Sequence, residues 1–305
     1  LLETGAKVGA DSWQMRVKNQ TPHCKFGEQG VCCRICSMGP CRITPKAPRG
    51  ICGCDVHGIV GRNFLRFTAG GAATHSDHGR EICITLGHAK EGGDYQVKDP
   101  EKLIRIAKEW GVETEGKDIY DLAHEMSDLA QEEYGKIRGY SRWLKRAPQH
   151  TQDLWHAAGI EPRAIDREVS CALHMTHMGN TSKPEALIRQ ALRNGLSDGW
   201  GGSMCGTEFS DVLFGTPKPI DTEANLGVMN AENVNIVVHG HDPSLSEMIC
   251  EYADSKEMID YAKSMGAKGI TVSGVCCTSN EVAMRRGIPM AGNFLQQENV
   301  VLTGA

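Results

Sequence analysis

Six cysteines lie between residues 24 and 52, in the segment HCKFGEQGVCCRICSMGPCRITPKAPRGIC, and they restrict what this part of the chain can fold into. Thiols packed this densely among Gly, Pro and Arg are not the material of a hydrophobic core. Such a pattern is typical of a metal site, in which the cysteines hold the chain together through the metal.

Four of these cysteines are spaced as one ligand set. A C-x2-C-x4-C-x10-C pattern supplies the four thiolates that a cubane iron-sulfur cluster or a structural zinc requires. The residues are Cys33, Cys36, Cys41 and Cys52. The spacing leaves both metals open, and a zinc site with two spare buried cysteines is the plainer alternative.

Cys32 adjoins Cys33, and neighbouring side chains of an extended segment point to opposite sides, so we expect Cys32 to serve a different site. With Cys24 it forms a C-x7-C pair, which is half a ligand set. A twofold axis would supply the same pair from a second subunit. The arithmetic therefore predicts a homodimer with a cluster at its interface. Cys54 is a surplus thiol close to Cys52, and counting alone leaves it open as the fourth ligand of the first set.

Thirteen cysteines in 305 residues also raise the question of a disulfide scaffold. Such scaffolds are small secreted domains, whereas this chain is long enough to bury a core of its own, so we expect reduced thiols in a cytoplasm. No apolar run approaches the roughly 18 residues that span a bilayer. The 33 basic and 38 acidic residues are well mixed and form no basic stripe. We expect neither a membrane span nor a nucleic-acid partner.

Helical patterns dominate from about residue 60 to residue 220. Apolar residues recur every three or four positions in EKLIRIAKEWG, which Gly111 ends, and again in DIYDLAHEMSDLAQEEYGKI. Ser182 is expected to cap a helix that begins near Pro184 and ends at Gly195. We predict a mainly helical domain over residues 1–222, with the TPKP turn near its end.

From residue 233 the chain alternates strands and helices. NVNIVVHG, GITVSGV and the final NVVLTG have the texture of strands, whereas SLSEMICEYADSKEMIDYAKSMG is expected to form one long helix and SNEVAMRRG a shorter one. This alternation predicts the first part of a Rossmann-like α/β domain with a parallel sheet over residues 223–305. The fold class is then α+β and multidomain.

Ligands of such a sheet bind beyond the carboxyl ends of its strands. The segments HGHDP and VCCTSN follow the first two strands and bring four metal-competent side chains to that edge: His239, His241, Cys276 and Cys277. Their coincidence favours a shared metal site, and inert structural side chains are the alternative.

Other candidates are weaker. His75 and His78 are three residues apart, hence on one face if this segment is helical, and suit either a proton relay or a solvated helix face. The remaining cysteines lack metal spacing and are interpreted as core thiols: Cys83, Cys171, Cys205 and Cys250. The glycine-rich GWGGSMCG lacks the strand-turn-helix setting of a phosphate loop.

Five blocks of the sequence, in order, resemble the catalytic subunit of the anaerobic nickel-iron carbon monoxide dehydrogenases. These are HCKFGEQGVCCRICSMGPCRITP, GAATHSDHG, LFGTPKP, NLGVMNAENVNIVVHGHDPSLSE and GVCCTSNEVAMRRGIP. The resemblance implies a homodimeric enzyme that catalyses CO + H2O ⇌ CO2 + 2 H+ + 2 e-. It further implies a ferredoxin or similar electron acceptor and admits an acetyl-CoA synthase as another partner.

Carried over by position, the resemblance implies that the C-x2-C-x4-C-x10-C set holds the B-cluster, a 4Fe-4S electron relay. Cys24 and Cys32 match the pair that holds the D-cluster with its symmetry mate, and their spacing favours 4Fe-4S over 2Fe-2S. His241 and Cys277 match two ligands of the nickel, iron and sulfide C-cluster, which makes His239 and Cys276 neighbours rather than ligands.

In the resembled family nickel binds CO, and the adjacent iron carries the hydroxide that attacks the CO carbon, since a metal lowers the pKa of its bound water. His75 and His78 match the start of a histidine row that carries protons away. Here Glu81 and Ile84 occupy the next positions of the three-residue repeat, so the row stops.

The resembled subunit is about twice as long and holds most C-cluster cysteines beyond position 305. A final apolar strand would also leave a sheet edge open. We therefore expect a partial chain of a longer protein. Two other functions compete with CO oxidation: a hybrid-cluster hydroxylamine reductase, and a non-catalytic iron-sulfur electron-transfer subunit if 305 residues were the whole product.

Overall fold

The computed structural model describes residues 1–240, 243–293 and 296–302. Contacts group the chain into two compact units, one of Pro22–Phe209 and one that joins Leu1–Thr21 to Ser210–Ala305. The predicted domain boundary lies between residues 222 and 223, whereas this grouping divides the chain after residues 21 and 209. The predicted boundary between folded domains stays a prediction. No helix in the described ranges is long and apolar enough to cross a bilayer.

Helices account for most of the described regular structure, as the sequence predicted. In chain order they are α1 (Leu2–Lys7), α2 (Trp13–Asn19), α3 (Lys25–Glu28), α4 (Val56–Gly87), α5 (Pro100–Glu109), α6 (Ile119–Gly135), α7 (Gln149–Ala158), α8 (Ile165–Thr176), α9 (Pro184–Ser197), α10 (Met204–Phe214), α11 (Pro243–Ala253), α12 (Lys256–Ser264), α13 (Cys276–Arg286) and α14 (Gln297–Val301). The strands are β1 (Cys32–Cys33), β2 (Cys41–Arg42), β3 (Val234–His239), β4 (Ile270–Val275) and β5 (Met290–Gly292).

Helix α4 is the central element of the unit formed by residues 22–209. It begins after Asp55, whose carboxylate accepts a hydrogen bond from the backbone N–H of Gly58 at 2.9 Å. Its 32 residues pack against α6, α8 and α9. Leu65 and Ala69 on one of its faces join a buried apolar cluster with residues of α8 and α9. The segment with His75 and His78 is therefore helical, which places both histidines on one face of α4.

Capping residues explain where the predicted helices start and stop. Asp99 accepts from the N–H of Lys102 at 2.9 Å at the start of α5, and Gly111, just after its end, has a φ of +78°. In α9 the N-cap is Lys183 rather than Ser182, and the helix continues past Gly195. Glycine can adopt helical backbone angles at a modest energetic cost. A glycine alone therefore does not end a helix whose next turn is packed.

The second unit contains a parallel sheet in which β3, β4 and β5 are neighbours in that order. The first two strands are confirmed within one residue of the predicted segments. The long predicted helix after β3 is interrupted, because Ser255 caps a new helix by accepting from the N–H of Met258 at 3.3 Å. An α+β fold with a parallel sheet is confirmed.

The predicted third strand, NVVLTG, is wrong. Its first residues belong to α14, and the third strand of the sheet is β5 instead. Glu298 in α14 accepts hydrogen bonds from the backbone N–H of Trp13 and from the guanidinium of Arg16. These contacts with the other end of the chain outweigh the β propensity of the short valine run.

The third strand was also predicted to leave one edge of the sheet unpaired, and for β5 this is wrong. Strand β5 is paired on its outer side with residues 223–225, since Met290 donates to the carbonyl of Glu223 at 2.8 Å and accepts from Asn225 at 3.0 Å. Backbone groups at this edge are therefore satisfied by an irregular segment rather than by a further strand.

Candidate metal centres

Four thiols surround one cavity in the unit of residues 22–209. The lining of this cavity includes the whole predicted ligand set: Cys33, Cys36, Cys41 and Cys52. Antiparallel pairing of β1 with β2 places Cys33 directly opposite Cys41. Sequence spacing had grouped these residues, and the fold brings them to the walls of the same space.

Glycines allow the cysteine loops to close around this cavity. A Cβ on Gly39 would lie 3.1 Å from the backbone N of Cys41, and one on Gly50 would lie 3.5 Å from the sulfur of Cys41. Gly179, with a φ of +77°, passes so close to Cys52 that a Cβ would lie 2.8 Å from the Cys52 Cβ. A side chain at Gly179 would therefore displace Cys52, and one at Gly39 would press on the backbone of Cys41.

Cys52 is held by a buried arginine. Nη1 of Arg62 lies 3.4 Å from the Cys52 sulfur, and its Nε and Nη2 donate to the carbonyl of Thr181 at 2.9 and 2.6 Å. Burial raises the pKa of Cys52, but the Arg62 hydrogen bond and backbone N–H groups outweigh burial and leave the pKa lowered. A thiolate is the form that binds metal.

Cys54 differs from Cys52 in its burial, in its position relative to the cavity and in the direction of its pKa shift. It is fully buried, it is not among the residues that line the cavity, and burial raises its pKa. A Cβ on Gly58 would lie 2.4 Å from its sulfur. Of the two candidates that counting left open, the geometry favours Cys52.

Cys24 and Cys32 lie outside the cavity lining. Cys24 is exposed and precedes α3, where the N–H groups of Gly27 and Phe26 lower its pKa. Cys32 is opposite Arg42 in the β1–β2 ladder, and the Arg42 guanidinium lies 4.9 Å from the ring centre of Phe26. Arg42 therefore connects the strand of Cys32 to the helix that Cys24 begins.

An exposed apolar stripe follows α4 beside this region. Val60, Phe64 and Phe67 recur at helical spacing with exposed fractions of 43%, 45% and 80%. Between them, Asn63 donates to the carbonyls of Gly30 at 3.2 Å and Cys32 at 3.1 Å. The stripe and the segment that carries Cys32 thus lie on the same part of the surface.

His75 and His78 have different environments on α4. Nδ1 of His75 lies 2.6 Å from Oδ1 of Asp198, and this hydrogen bond raises the pKa of His75 against the opposing effect of burial. His78 is buried, with 8% of its surface exposed. The next positions of the row, Glu81 and Ile84, are exposed, so the helix face turns to solvent where the histidines stop.

Asp198 is a partner of His75 that the sequence did not reveal. It begins a π-helical turn, Asp198–Ser203, between α9 and α10. Ser141 donates to the carbonyl of Trp200 within this turn, and a Cβ on Gly202 would lie 3.1 Å from the carbonyl oxygen of His75. The glycine-rich segment rejected as a phosphate loop is thus the element that packs against the histidine turn. Widened helical turns of this kind are frequent at functional sites.

At the sheet edge, His239 ends β3 and pairs in register with Val275, which ends β4. Cys276 follows with a φ of +69°, rare for a residue with a side chain, and Cys277 is exposed in the first turn of α13. Burial and the neighbouring Cys277 raise the pKa of Cys276. The prediction that these segments meet at one edge is confirmed for His239 and the two cysteines, whereas His241 lies outside the described residues.

Helix α13 is anchored by its far end. Arg285 donates to Asp211 at 2.8 Å and to the carbonyl of Gly215 at 3.0 Å, and Arg286 donates to Glu247 at 2.7 Å. Arg285 and its carboxylate partners are almost fully buried. These ion pairs fix the helix that presents Cys277.

Among the described residues, no three or more His, Cys, Asp or Glu side chains are grouped as ligands of a single ion. An iron-sulfur cubane needs a different arrangement, because its four thiolates surround the cluster. The donor set around the four-thiol cavity fits such a group: four cysteines on its walls, an arginine that favours the Cys52 thiolate, and glycines where the loops approach each other.

The sequence of this chain is similar to proteins of one known family. The sequence profile of the Prismane/CO dehydrogenase family matches residues 31–305. Carbon monoxide dehydrogenase 1 of Methanosarcina mazei is 47% identical over 310 aligned positions, covering 100% of this chain and 49% of that protein. The chain therefore spans about half the length of the curated relatives it matches.

Solved structures agree with the sequence comparison. The as-isolated, nickel-free carbon monoxide dehydrogenase of Thermococcus sp. AM4, produced without the CooC maturase, has a TM-score of 0.94 and 48% identity, covering 99% of this chain and 49% of that one. A structure of acetyl-CoA synthase/carbon monoxide dehydrogenase with NiZn[Fe4S4] and NiNi[Fe4S4] clusters has a TM-score of 0.92 and 40% identity, covering 100% and 46%.

Proposed function

This chain belongs to the Prismane/CO dehydrogenase family, and we propose that it forms part of an anaerobic carbon monoxide dehydrogenase that catalyses CO + H2O ⇌ CO2 + 2 H+ + 2 e-. The observation that carries the proposal is the four-thiol cavity in a chain 47% identical over its whole length to a carbon monoxide dehydrogenase. Each further role below rests on that premise.

Cys33, Cys36, Cys41 and Cys52 are proposed to hold the 4Fe-4S B-cluster. When bound, such a cluster accepts and donates single electrons. The protein's part is to place hydrogen-bond donors beside the sulfur atoms: Arg62 favours the Cys52 thiolate, and the backbone N–H of Ile51 lies 3.5 Å from the Cys41 sulfur. Hydrogen bonds to ligand sulfurs are among the features that set a cluster's reduction potential.

Cys24 and Cys32 are proposed to hold a 4Fe-4S D-cluster together with the same pair from a second copy of the chain. Two observations support this. The two residues lie outside the four-thiol cavity, and the apolar stripe of Val60, Phe64 and Phe67 lies exposed beside them. A contiguous exposed apolar surface is typical of a protein–protein contact.

His241 and Cys277 are proposed as ligands of the nickel-iron-sulfur C-cluster, with the remaining ligands outside this chain. The family's metal centre supplies CO binding and an activated water there. The position of Cys277 supports the assignment, since it is exposed at the carboxyl edge of a parallel sheet, where ligands of such sheets bind.

His75 and His78 are proposed to take up the protons that CO oxidation releases. Asp198 holds Nδ1 of His75, which leaves Nε2 as the atom that accepts and passes a proton. The hydrogen bond favours the protonated ring, so His75 is a better base than an isolated histidine. We place Asp198 beside the two histidines as a positioning residue.

A ferredoxin or similar acceptor is proposed to take the electrons, and an acetyl-CoA synthase is a further candidate partner, because one similar structure is a complex with that enzyme. A cytoplasmic location is proposed from the number of free thiols.

The test uses the full-length protein, purified without oxygen and supplied with nickel and iron. We expect CO-dependent reduction of a viologen dye and both metals in the sample. Iron without nickel, together with hydroxylamine reduction, would instead indicate a hybrid-cluster reductase, and zinc in place of iron would overturn the proposal. Cys33→Ser should lower iron content and activity together, while Cys171→Ser, a half-buried thiol outside the proposed sites, is the matched control.

A further inference from the structure

Two buried cysteines outside all of these sites are in contact. Cys83 on α4 and Cys205 on α10 are 122 residues apart in sequence, yet their sulfur atoms lie 3.7 Å from each other. Their exposed fractions are 0% and 1%. Both cysteines were predicted to be core thiols, and their burial confirms that. Because their sulfur atoms are in contact, they can form a disulfide, which separate core thiols cannot.

A glycine contact one helical turn away holds the two helices close. A Cβ on Gly206 would lie 3.3 Å from the Cα of Gly79 and 3.5 Å from the ring of His78. Gly79 is four residues before Cys83 and therefore on the same face of α4. The backbones of α4 and α10 approach each other at this point. Cys205 adjoins Gly206, and Cys83 follows Gly79 by one turn, so the two sulfur atoms are held close together.

Cys205 also borders a small cavity. The space is lined by Tyr134, Ser141, Ile165 and Gly201 among others, and it has room for about one water-sized molecule beside Cys205. Burial raises the pKa of Cys83 and of Tyr134, whose hydroxyl faces both thiols. Burial therefore favours the thiol form of Cys83.

We propose that Cys83 and Cys205 form an oxidisable dithiol, which hydrogen peroxide converts to a disulfide between α4 and α10. In the first step the Cys205 sulfur attacks the O–O bond, which gives a sulfenic acid and water from hydrogen peroxide. In the second step the Cys83 sulfur displaces the hydroxyl group, which forms the S–S bond and a second water. Two thiols lose two electrons, and the peroxide gains them.

The geometry needs little rearrangement for this bond. A disulfide has sulfur atoms about 2.05 Å apart, so the contact of 3.7 Å must shorten through side-chain rotation. The reaction does not depend on the CO chemistry proposed above, since neither cysteine belongs to a proposed cluster. The bond would join the helix that carries His75 and His78 to its neighbour.

The experiment treats the anaerobically purified enzyme with hydrogen peroxide, blocks free thiols with iodoacetamide under denaturing conditions, and digests it without reduction. We expect loss of the alkylated Cys83 and Cys205 peptides and the appearance of a linked pair, two hydrogen masses lighter than the sum of the two reduced peptides. Dithiothreitol should restore both single peptides. Cys250, equally buried at 1% exposure, should remain alkylated throughout and serves as the comparison thiol.

Three results would overturn the proposal: both thiols still alkylated after oxidation, Cys205 carried to sulfinic acid without linkage, or either cysteine joined to a cluster cysteine instead. The variants Cys83→Ala and Cys205→Ala should each abolish the linked pair. The measurement on the wild-type protein decides the outcome even if one of these variants fails to fold.

Discussion

Nδ1 of His75 lies 2.6 Å from Oδ1 of Asp198, a residue 123 positions away at the start of the π-helical turn. This hydrogen bond raises the pKa of His75. The pair gives the proposed proton relay a first residue whose orientation and basicity are both set by one carboxylate.

We expect Asp198→Asn to lower the pKa of His75, because the amide removes the charge that favours the imidazolium. CO-dependent viologen reduction should fall by up to about 100-fold, the lower range for general acid-base catalysis. The acid limb of its pH profile should move to lower pH. Asp77→Asn changes an exposed carboxylate of the same helix and should leave the limb in place; an unmoved limb in Asp198→Asn would contradict the assignment.

The same variant links this pair to stability. Since the pKa of His75 is raised in the folded state, the pair stabilises the fold fully below the unfolded value of about 6.5. This contribution is lost as pH rises through the folded value. The difference in unfolding free energy between the wild type and Asp198→Asn should thus be larger at about pH 6 than at about pH 9.

Replacing Arg62 should disturb the four-thiol cavity and the core together. Arg62→Gln removes the donor to the Cys52 sulfur and leaves the carbonyl of the half-buried Thr181 without this partner. We expect a loss of about 1–3 kcal/mol in unfolding free energy and less iron per chain. Arg66→Gln, one turn further along α4, removes bonds to Thr176 and Leu173 instead and should retain the iron. Equal iron loss in both variants would argue against a role for the sulfur contact.

Removal of the proposed shared ligands should change iron content by a defined step. The double variant Cys24→Ser/Cys32→Ser should lose about two iron atoms per chain, half of a [4Fe–4S] cluster held by two copies. Cys54→Ser, a change of a nearby buried thiol outside the cavity lining, should retain them. Iron analysis per chain decides the matter, and unchanged iron in the double variant would refute the ligand arithmetic.

The apolar stripe on α4 offers a test of the proposed dimer that leaves every cysteine in place. Phe67→Glu puts a charge where desolvation would be costly if a second copy packs there. We expect light scattering to report a shift from dimer toward monomer. Ile137→Glu is the control, because Ile137 has the same exposed fraction of 80%. If both variants remain dimeric, the interface lies elsewhere.

Gly79 should tolerate no side chain. A Cβ there would lie 2.0 Å from the Tyr134 hydroxyl oxygen and 2.7 Å from the carbonyl of Gly202. Gly79→Ala should therefore destabilise the protein by about 1–3 kcal/mol, as overpacking does. Gly70→Ala, in open space on the same helix, should instead gain about 0.5–1 kcal/mol from helix propensity. Urea unfolding midpoints of the two variants are expected to move in opposite directions.

Local signals were enough to predict much of the fold. The stop at Gly111, the apolar period of α5 and α6, and the β-branched runs of β3 and β4 act over a few residues, and each is visible in the sequence. The four cavity cysteines were found for the same reason, since their ligand spacing is local.

Long-range contacts account for what the sequence did not reveal. Helix α14 forms where a strand was predicted because Glu298 binds Trp13 and Arg16 from the far end of the chain. Asp198 and Cys205 meet α4 across more than a hundred residues. No local period or spacing encodes such meetings, because they depend on how whole helices pack.

Helix α4 carries Arg62, His75 and Cys83 on one continuous rod. At 1.5 Å per residue, Arg62 and His75 are about 20 Å apart along its axis. The places proposed for electron and proton transfer are thus spaced by a length that the backbone hydrogen bonds of a single helix set. One residue inserted between them would rotate one place by about 100° relative to the other, so their mutual orientation depends on the unbroken count of residues in this helix.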